Sequence, residues 1–442
     1  MGIRNIMRAQ AALLLTVFLA SGCATSSAPK NPLPPSIQPA RQAAAMPDGG
    51  YTWQGLAELV VTASPDYAAI LADARAEYFR YKSRTDLKDP NFSLEYSFLA
   101  YDRSRNQYDM QVSLSVPNPF VNRQIIKTGE AARRETETGA EELKNEIAAI
   151  IYELTHEILI GERELSVLLL REQVLSGWAD YLKMRYDARM ATQADLREIE
   201  MQRLRLKAAV RQAQFTADTA RRSLQALVRI PHEQLVLNPL PSDWKAVVAQ
   251  LEDNETFIET IFSRSAELAG ANAAYEKACA MLGTARAKQI PWLDSVYLSY
   301  APGFTEDINY SYGGTTTSRR NTSKWTAGVN MSLPVFAWFS SEKKMAHAEI
   351  EAASLRISAI RERIRNDISG IIADLRGALI FLGDYQSTLD SIAEPTRETI
   401  PDPESYFKLM DARLSASEYA LKIELQCAHF YGHLLKTAGG WE

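Results

Sequence analysis

The side chains whose type and spacing could do chemistry form only a few small groups. His429 and His433 stand four residues apart, so on a helix they could share one metal ion. The alternative is that histidines near the end of a helix complement its dipole, and we favour that reading. Cys23, Cys279 and Cys427 lie too far apart in the sequence to form a metal cluster. We therefore predict no metal site and no cofactor site.

Sequence patterns of common catalytic and nucleic-acid-binding sites are also missing. The chain has no Gly-rich phosphate loop, no G-x-S-x-G elbow and no H-E-x-x-H pair. Its 49 Lys and Arg residues against 54 Asp and Glu residues give a net charge of −5, without the basic excess of a nucleic-acid-binding protein. No apolar run reaches the roughly 18 residues of a transmembrane helix. We expect neither an enzyme nor a nucleic-acid partner.

Cys23 is the cysteine to which its neighbours assign a chemical role. Arg4 and Arg8 precede the short apolar run Ala11–Ala20, which is typical of a secretory signal peptide at residues 1–22. The segment Leu19–Gly22 directly before Cys23 resembles a bacterial lipobox, in which the thiol is lipidated and becomes the first mature residue. The alternative is an ordinary signal peptide followed by an incidental cysteine.

The residues after Cys23 indicate where its lipid would hold the protein. Position 24 is Ala rather than Asp, which resembles the outer-membrane default for bacterial lipoproteins. Residues 23–50 contain six prolines and are typical of an extended linker. We expect a covalent lipid such as palmitate on Cys23 and no other non-protein group.

Prolines and isoleucine stripes predict very long helices. No proline occurs from Phe120 to Ile230 or from Val335 to Glu394, and within both stretches apolar residues recur every three or four positions. A helix over Phe120–Arg189 would be about 100 Å long. Thr192 and Asp195 then form a capping box that starts a second, antiparallel helix.

Four short segments between these helices alternate apolar and polar residues instead. We predict strands over residues 91–101, 107–117, 293–302 and 324–333. Pro117 ends the first pair and Pro334 ends the second, 217 residues later, so the chain consists of two similar halves. The stretch Phe304–Ser323, rich in Gly, Ser and Thr, is expected to be a flexible external loop.

The four strands have the length and alternation of strands that cross a bilayer in an outer-membrane barrel. A bilayer tolerates only closed barrels or helices, and single-chain barrels begin at about eight strands. Such a chain would have to pool its strands with copies of itself. The alternative is that the strands form a soluble sandwich or cap.

The resulting fold class is mainly α with a small β part, built as two repeats of long helical hairpins and strand pairs. We expect the first repeat at residues 51–230, a connector at 231–254 and the second repeat at 255–442.

These repeats, together with the run Arg185–Leu196 (RYDARMATQADL), resemble the outer-membrane factor (TolC-like) efflux family, lipoprotein branch. The resemblance runs from Tyr51 to the C-terminus, and Arg189 stands where the family usually has Gly. It implies a homotrimer with a 12-strand β-barrel in the outer membrane and an α-helical barrel in the periplasm. It also implies a passive exit duct of a tripartite efflux or secretion system, with a periplasmic adaptor and an inner-membrane transporter as partners.

In that family, acidic side chains near the hairpin turns narrow the periplasmic aperture. By position, Asp195 and Glu198 follow the first turn, and Asp402, Glu404 and Asp411 surround the second. The alternative is that all five complement helix dipoles, and Asp402 is a plausible N-cap before a proline. We expect Asp195→Ala with Glu198→Ala to increase conductance if these acids gate the channel.

Two other classes of protein share part of this pattern. A periplasmic coiled-coil adaptor or scaffold lipoprotein would have the anchor and the long helices but would not need the strands. A lipoprotein enzyme with an unrecognised site is disfavoured because the catalytic patterns are missing.

Overall fold

The structure is a computed structural model that describes residues 50–97, 107–231, 235–238, 254–302, 304–311, 314–321, 323–333, 341–391 and 402–439. The predicted signal peptide, Cys23 and most of the linker lie outside the described residues.

The described residues form eight α-helices and six strands. In chain order these are α1 (Trp53–Ala63), α2 (Pro65–Lys82), β1 (Asn91–Ser97), β2 (Gln107–Ser115), α3 (Pro119–Asp187), α4 (Gln193–Val228), α5 (Asn254–Arg264), α6 (Ala266–Ala287), β3 (Trp292–Ala301), β4 (Phe304–Ser311), β5 (Gly314–Asn321), β6 (Lys324–Ser332), α7 (Ser341–Ser391) and α8 (Pro403–Ala438). The prediction of a mainly α fold with a small β part is confirmed.

Helix α3 has 69 residues and begins and ends at defined caps. The Asn118 side chain accepts hydrogen bonds from the backbone N–H groups of Phe120 and Val121, at 3.0 and 3.3 Å, and Pro119 occupies the first helical position. At about 1.5 Å per residue the helix is about 100 Å long. Among the described residues, no helix is both long and apolar enough to cross a bilayer.

The long helices pack side by side in one layer. Nearest the sheet their order is α2, α3, α6, α7, and toward the hairpin turns it is α4, α3, α8, α7. Helix α3 therefore lies inside the layer along its whole length. Helix α7 forms one edge, and α2 and α4 form the other.

Two apolar cores hold this layer together. The larger one joins α1, the middle of α3 and parts of α4, α5, α7 and α8 around residues such as Leu56, Ile151 and Ile368. The smaller one lies between α3 and α4, where Leu168, Leu175 and Leu182 repeat every seven residues against α4. A seven-residue repeat is the seam of a coiled coil, so the first hairpin is a two-helix coil with its own core.

The larger sheet has the strand order β1-β2-β3-β6 with antiparallel neighbours throughout, so β1 and β6 are its edges. Its strands lie within the four predicted segments to within a few residues.

Strands β4 and β5 form a separate two-stranded sheet between β3 and β6. The expectation of a flexible loop over Phe304–Ser323 was wrong. Gly, Ser and Asn are frequent in this stretch, but Phe304, Ile308 and Tyr310 occupy alternate positions of β4, and the consecutive Thr315–Thr317 of β5 also favour extended backbone.

Candidate functional site

One face of the four-stranded sheet carries large, exposed apolar side chains. The strand register aligns these side chains in rows across the sheet: Phe92 lies opposite Val112, Val112 opposite Leu298, and Leu298 opposite Ala327. The exposed members are Phe92, Leu94, Val112, Leu114, Val296, Leu298, Trp325, Val329 and Met331. A contiguous apolar surface of this kind marks a contact with another protein or with lipid.

The other face of the sheet is polar. Ser113 lies opposite Tyr297, and Gln111 lies opposite Ser299. The Asn330 amide donates a hydrogen bond to Ser295 Oγ at 3.0 Å. The sheet is therefore amphipathic, with an apolar and a polar side that are set by the alternation of its strands.

The first hairpin turn, between α3 and α4, is closed by two interlocking motifs. The backbone N–H of Met190 donates to the carbonyl oxygen of Arg185 at 2.7 Å, and the N–H of Arg189 donates to the carbonyl oxygen of Tyr186 at 2.9 Å. Together these two hydrogen bonds form a Schellman motif. Arg189 takes the left-handed backbone conformation, with φ 61°. This is the position at which the TolC-like family usually has Gly, the residue that adopts this conformation most easily.

The second motif at this turn is the capping box of α4. Asp195 Oδ2 accepts hydrogen bonds from the backbone N–H and the hydroxyl of Thr192, both at 2.8 Å, while Thr192 Oγ1 accepts from the Asp195 N–H. These hydrogen bonds hold the pKa of Asp195 below its usual value. Glu198, one turn further, accepts a hydrogen bond from the Gln202 amide at 3.4 Å.

The second hairpin leads into α8, whose start lies beside the first turn. The Asp402 carboxylate caps α8 by accepting from the hydroxyl and the N–H of Ser405, at 2.5 and 3.0 Å, and these hydrogen bonds lower the pKa of Asp402. Glu404 accepts from Lys408 at 2.7 Å and from Arg185 of α3 at 2.9 Å, and these contacts lower the pKa of Glu404.

Four of the five predicted acids are thus brought to one end of the molecule. Asp195, Glu198 and Glu404 line one pocket there with Arg185 and Lys408, and Asp402 caps the adjoining helix end. The two cations offset part of the negative field that the acids create. Neither Arg185 nor Lys408 was predicted to belong to this group, because the prediction rests on acidic side chains near the turns.

Asp411 lies apart from this group, about two and a half turns along α8 from Asp402. It is held by Arg171 of α3, whose Nε and Nη2 donate to its two oxygens at 2.6 and 3.4 Å. Arg171 also donates to Glu418 through Nη1 at 3.0 Å. The forked contact fixes α8 against α3.

The histidine pair does not form a metal site with its neighbours. His429 Nε2 lies 3.8 Å from Glu157 Oε1, and the part of the chain that the structure describes holds no group of three His, Cys, Asp or Glu suited to a metal. Burial raises the pKa of Cys427 to about 12, so that thiol is a packing group.

Buried His156 was not anticipated from the sequence. Desolvation lowers its pKa to about 4, so it is neutral at pH 7, and its Nδ1 lies 2.9 Å from the Tyr152 carbonyl oxygen.

Comparison with solved structures places this fold among bacterial outer-membrane channels. The chain is similar to the outer-membrane channel OprN, with 17% identity and a TM-score of 0.60 over 88% of this chain and 90% of that one. It is similar to the MtrE outer-membrane channel of Neisseria gonorrhoeae in its open state, with 17% identity and a TM-score of 0.56 over 88% and 89% of the two chains. It is also similar to the outer membrane protein VceC of Vibrio cholerae, with 14% identity and a TM-score of 0.55 over 86% and 96%.

No protein-family model and no curated protein matches the sequence. The likeness to solved structures confirms the fold that the resemblance to TolC-like channels predicted.

Proposed function

We propose that the protein is an outer-membrane exit channel of a tripartite efflux or secretion system. The observation that carries this proposal is the four-stranded sheet, which combines an exposed apolar face with two unpaired edge strands, β1 and β6. An apolar face can lie in lipid, but open strand edges cannot, because their backbone groups would lose hydrogen bonds. A ring of copies removes both edges.

Three copies would supply twelve strands to one closed barrel, with the polar faces lining a water-filled pore. In such a ring the edge strand β1 of one copy pairs with β6 of the next. The helix layer below the sheet continues the same pore into the periplasm. The duct is passive: a periplasmic adaptor and an inner-membrane transporter would supply cargo and energy.

The alternative of a coiled-coil adaptor or scaffold lipoprotein explains the helices but leaves the apolar sheet face without a purpose. An adaptor works in water, where exposed rows of Phe, Leu and Val would be an aggregation hazard.

The membrane assignment is tested by two substitutions at neighbouring positions of β3. Leu298 belongs to the apolar face and Ser299 to the polar face, so Leu298→Arg puts a charge into lipid and Ser299→Arg puts the same charge into the pore. An arginine on the lipid face costs about 2–4 kcal/mol near the bilayer midplane. We expect Leu298→Arg to reduce heat-resistant trimer in outer-membrane fractions, and Ser299→Arg to assemble with altered ion selectivity in planar bilayers.

Equal assembly of the two variants, or wild-type protein that leaves the membrane fraction at high pH, would contradict the proposal. A control variant with an unchanged sheet should appear in the outer-membrane fraction, which confirms that export itself is intact.

The proposed anchor is a lipid on Cys23. The described chain enters the core at Tyr51, and two residues later the ring of Trp53 packs edge-on against Tyr152 of α3 at 5.1 Å. Tyr152 is 33 residues from the sheet end of α3, which is about 50 Å of helix. Residues 24–49 could span up to about 90 Å when extended, which is enough to reach the membrane from there. Loss of palmitate labelling in Cys23→Ala would support the anchor, and persistence of the label would refute it.

The proposed aperture consists of the acids near the two turns, Asp195, Glu198, Asp402, Glu404 and Asp411. Because Asp195 also closes the capping box, replacing it with Ala would confound loss of charge with loss of a cap. Asp195→Asn with Glu198→Gln removes two charges and keeps hydrogen-bond acceptors. We expect this pair to raise single-channel conductance and to lower cation selectivity. Unchanged values for both would refute an aperture role for Asp195 and Glu198.

A further inference from the structure

The ring of Tyr297 lies directly over Gly328, the only glycine in the strands of the larger sheet. Tyr297 of β3 is the register partner of Gly328 in the edge strand β6. A Cβ atom added to Gly328 would fall 2.6 Å from Cε1 of this ring and closer still to its Cζ and its hydroxyl oxygen. The ring therefore occupies the space that any other side chain at position 328 would need.

Both residues belong to the polar face of the sheet. Tyr297 lies opposite Ser113 of β2, whereas its chain neighbours Val296 and Leu298 belong to the apolar face. Val296 and Leu298 are 43% and 49% exposed, and Tyr297 is less exposed than either, although its side chain is larger. The ring thus lies flat along the sheet instead of standing out from it.

Glycine weakens the interior of a strand, and where it occurs there it often marks the close approach of another group. An aromatic ring that covers a glycine in an edge strand restores part of the lost packing. The other polar-face positions around Tyr297 all carry side chains: Ser113, Ser295, Ser299, Thr326 and Asn330. Among these described neighbours, only Gly328 leaves room for the ring to lie against the backbone.

The strand register gives the level of the ring along the proposed barrel. β2 ends at Ser115, shortly before the Asn118 cap of α3, so Ser115 marks the end of the sheet nearest the helices. Ser115 pairs with Ser295, and Ser113 pairs with Tyr297 one row further from the helices. In a ring of three copies, three Tyr297 rings would line the pore at this level.

We propose that Tyr297 and Gly328 set the bore of the barrel: Gly328 lets the three rings lie against the wall, which leaves the pore open to bulky cargo. This inference rests on the proposed function, which makes the polar face the lining of the pore. A larger residue at position 328 would displace the ring and not the sheet, because only the far end of the Tyr297 side chain is in the way. The displaced ring would stand out into the pore in every copy.

The test measures how bulky a molecule can pass Tyr297 from outside the cell. Ser115→Cys in the full-length chain places a thiol on the polar face, one row beyond the rings, at an exposed position. Intact cells are treated with a small and with a bulky membrane-impermeant maleimide, and the rate of labelling is measured for each. The parent chain without Ser115→Cys gives the background from the native thiols. Because the reagents enter from outside, this measurement does not depend on the proposed aperture at the other end of the pore.

The key variant in the Ser115→Cys chain is Gly328→Val. It should slow labelling by the bulky reagent at least about fivefold and change labelling by the small one less than about twofold, because the narrowest diameter of a pore decides what passes. Adding Tyr297→Ser should restore the original rate, since no ring is left to displace. Gly328→Ala displaces the ring with a single added carbon and replaces Gly328→Val if valine prevents assembly.

Ala327→Val is the matched control. It puts the same side chain on the neighbouring residue of β6, on the apolar face, and should change neither rate. Heat-resistant trimer in outer-membrane fractions verifies that each variant is assembled.

An assembled Gly328 variant that the bulky reagent labels at the original rate would overturn this inference and leave the proposed channel standing. Slow labelling that Tyr297→Ser does not relieve would overturn it as well, since the obstruction would then not be the ring. If even the small reagent fails to reach Ser115→Cys in intact cells, the polar face does not line a pore, and the proposed channel itself is refuted.

Discussion

Removal of Arg171 should loosen α8 from α3 near the hairpin turns. Its guanidinium donates to Asp411 at 2.6 Å and to Glu418 at 3.0 Å, and the three side chains are only 22%, 22% and 12% exposed. Arg171→Met keeps most of the aliphatic stem and removes the charge. The two carboxylates then stand half-buried, close together and without their shared cation.

Hydrogen bonds to charged groups contribute about 1.5–3 kcal/mol each, and partial exposure reduces that contribution. We therefore expect a local loss of about 2 kcal/mol for the contact between α3 and α8. Since each 1.36 kcal/mol is a factor of ten, amide hydrogens of α8 around Asp411 and Glu418 should exchange about 30-fold faster. Hydrogen exchange with mass spectrometry on the detergent-solubilised protein measures this change directly.

Arg163→Met is the matched control on the same seam. Arg163 makes one contact with Glu424 at 3.2 Å and is 44% exposed, so its loss should change exchange less than about fivefold. If the two variants changed exchange equally, burial and the forked geometry would not determine the strength of this seam. If Arg171→Met left exchange around Asp411 unchanged, the reasoning would be refuted.

Three further outcomes follow from the geometry. Arg189→Gly should stabilise the first hairpin by about 0.5–1 kcal/mol because φ 61° suits Gly, measured by thermal unfolding against Ala188→Gly. Leu175→Ala should cost about 2–4 kcal/mol in the small core and raise proteolysis of the first hairpin. Burial, together with repulsion from the neighbouring His429 and Arg163, lowers the pKa of His156 to about 4. The wild type should therefore lose about 3 kcal/mol of folding stability as the pH falls from 6.5 to 4. The variant His156→Gln should not show this loss. Parallel pH curves for wild type and variant would contradict this.

The elements that the sequence specifies through local rules could be predicted closely. Helix α3 follows from its apolar stripe and from the proline-free stretch that begins at Phe120, and the four main strands follow from two-residue alternation. The start of α4 also follows from a local signal, the pairing of Thr192 with Asp195.

Contacts between distant parts of the chain could not be predicted in this way. Nothing near Asp411 indicates Arg171, which is 240 residues away and reaches it only because α8 runs antiparallel to α3. The same holds for Arg185 beside Glu404. The β4–β5 hairpin was not predicted for a different reason. The Gly, Ser and Thr content of this stretch indicated a loop more strongly than the alternating apolar residues of β4 indicated a strand.

The two halves of the chain share a plan but differ in the chemistry of the helix ends near their turns, and this difference bears on the proposed pore. In the first hairpin, a left-handed Arg189 and a reciprocal capping box fix both the end of α3 and the start of α4. The start of α8 depends on the Asp402 cap and on contacts to α3, through Arg185 and Arg171. The first hairpin has its own coiled-coil core, whereas near the turns α8 is held against α3 by ion pairs and by the buried ring of Phe407, which packs on Tyr181. Loss of those ion pairs would therefore free the start of α8 before the first hairpin, and a movement that widens the proposed aperture would begin there.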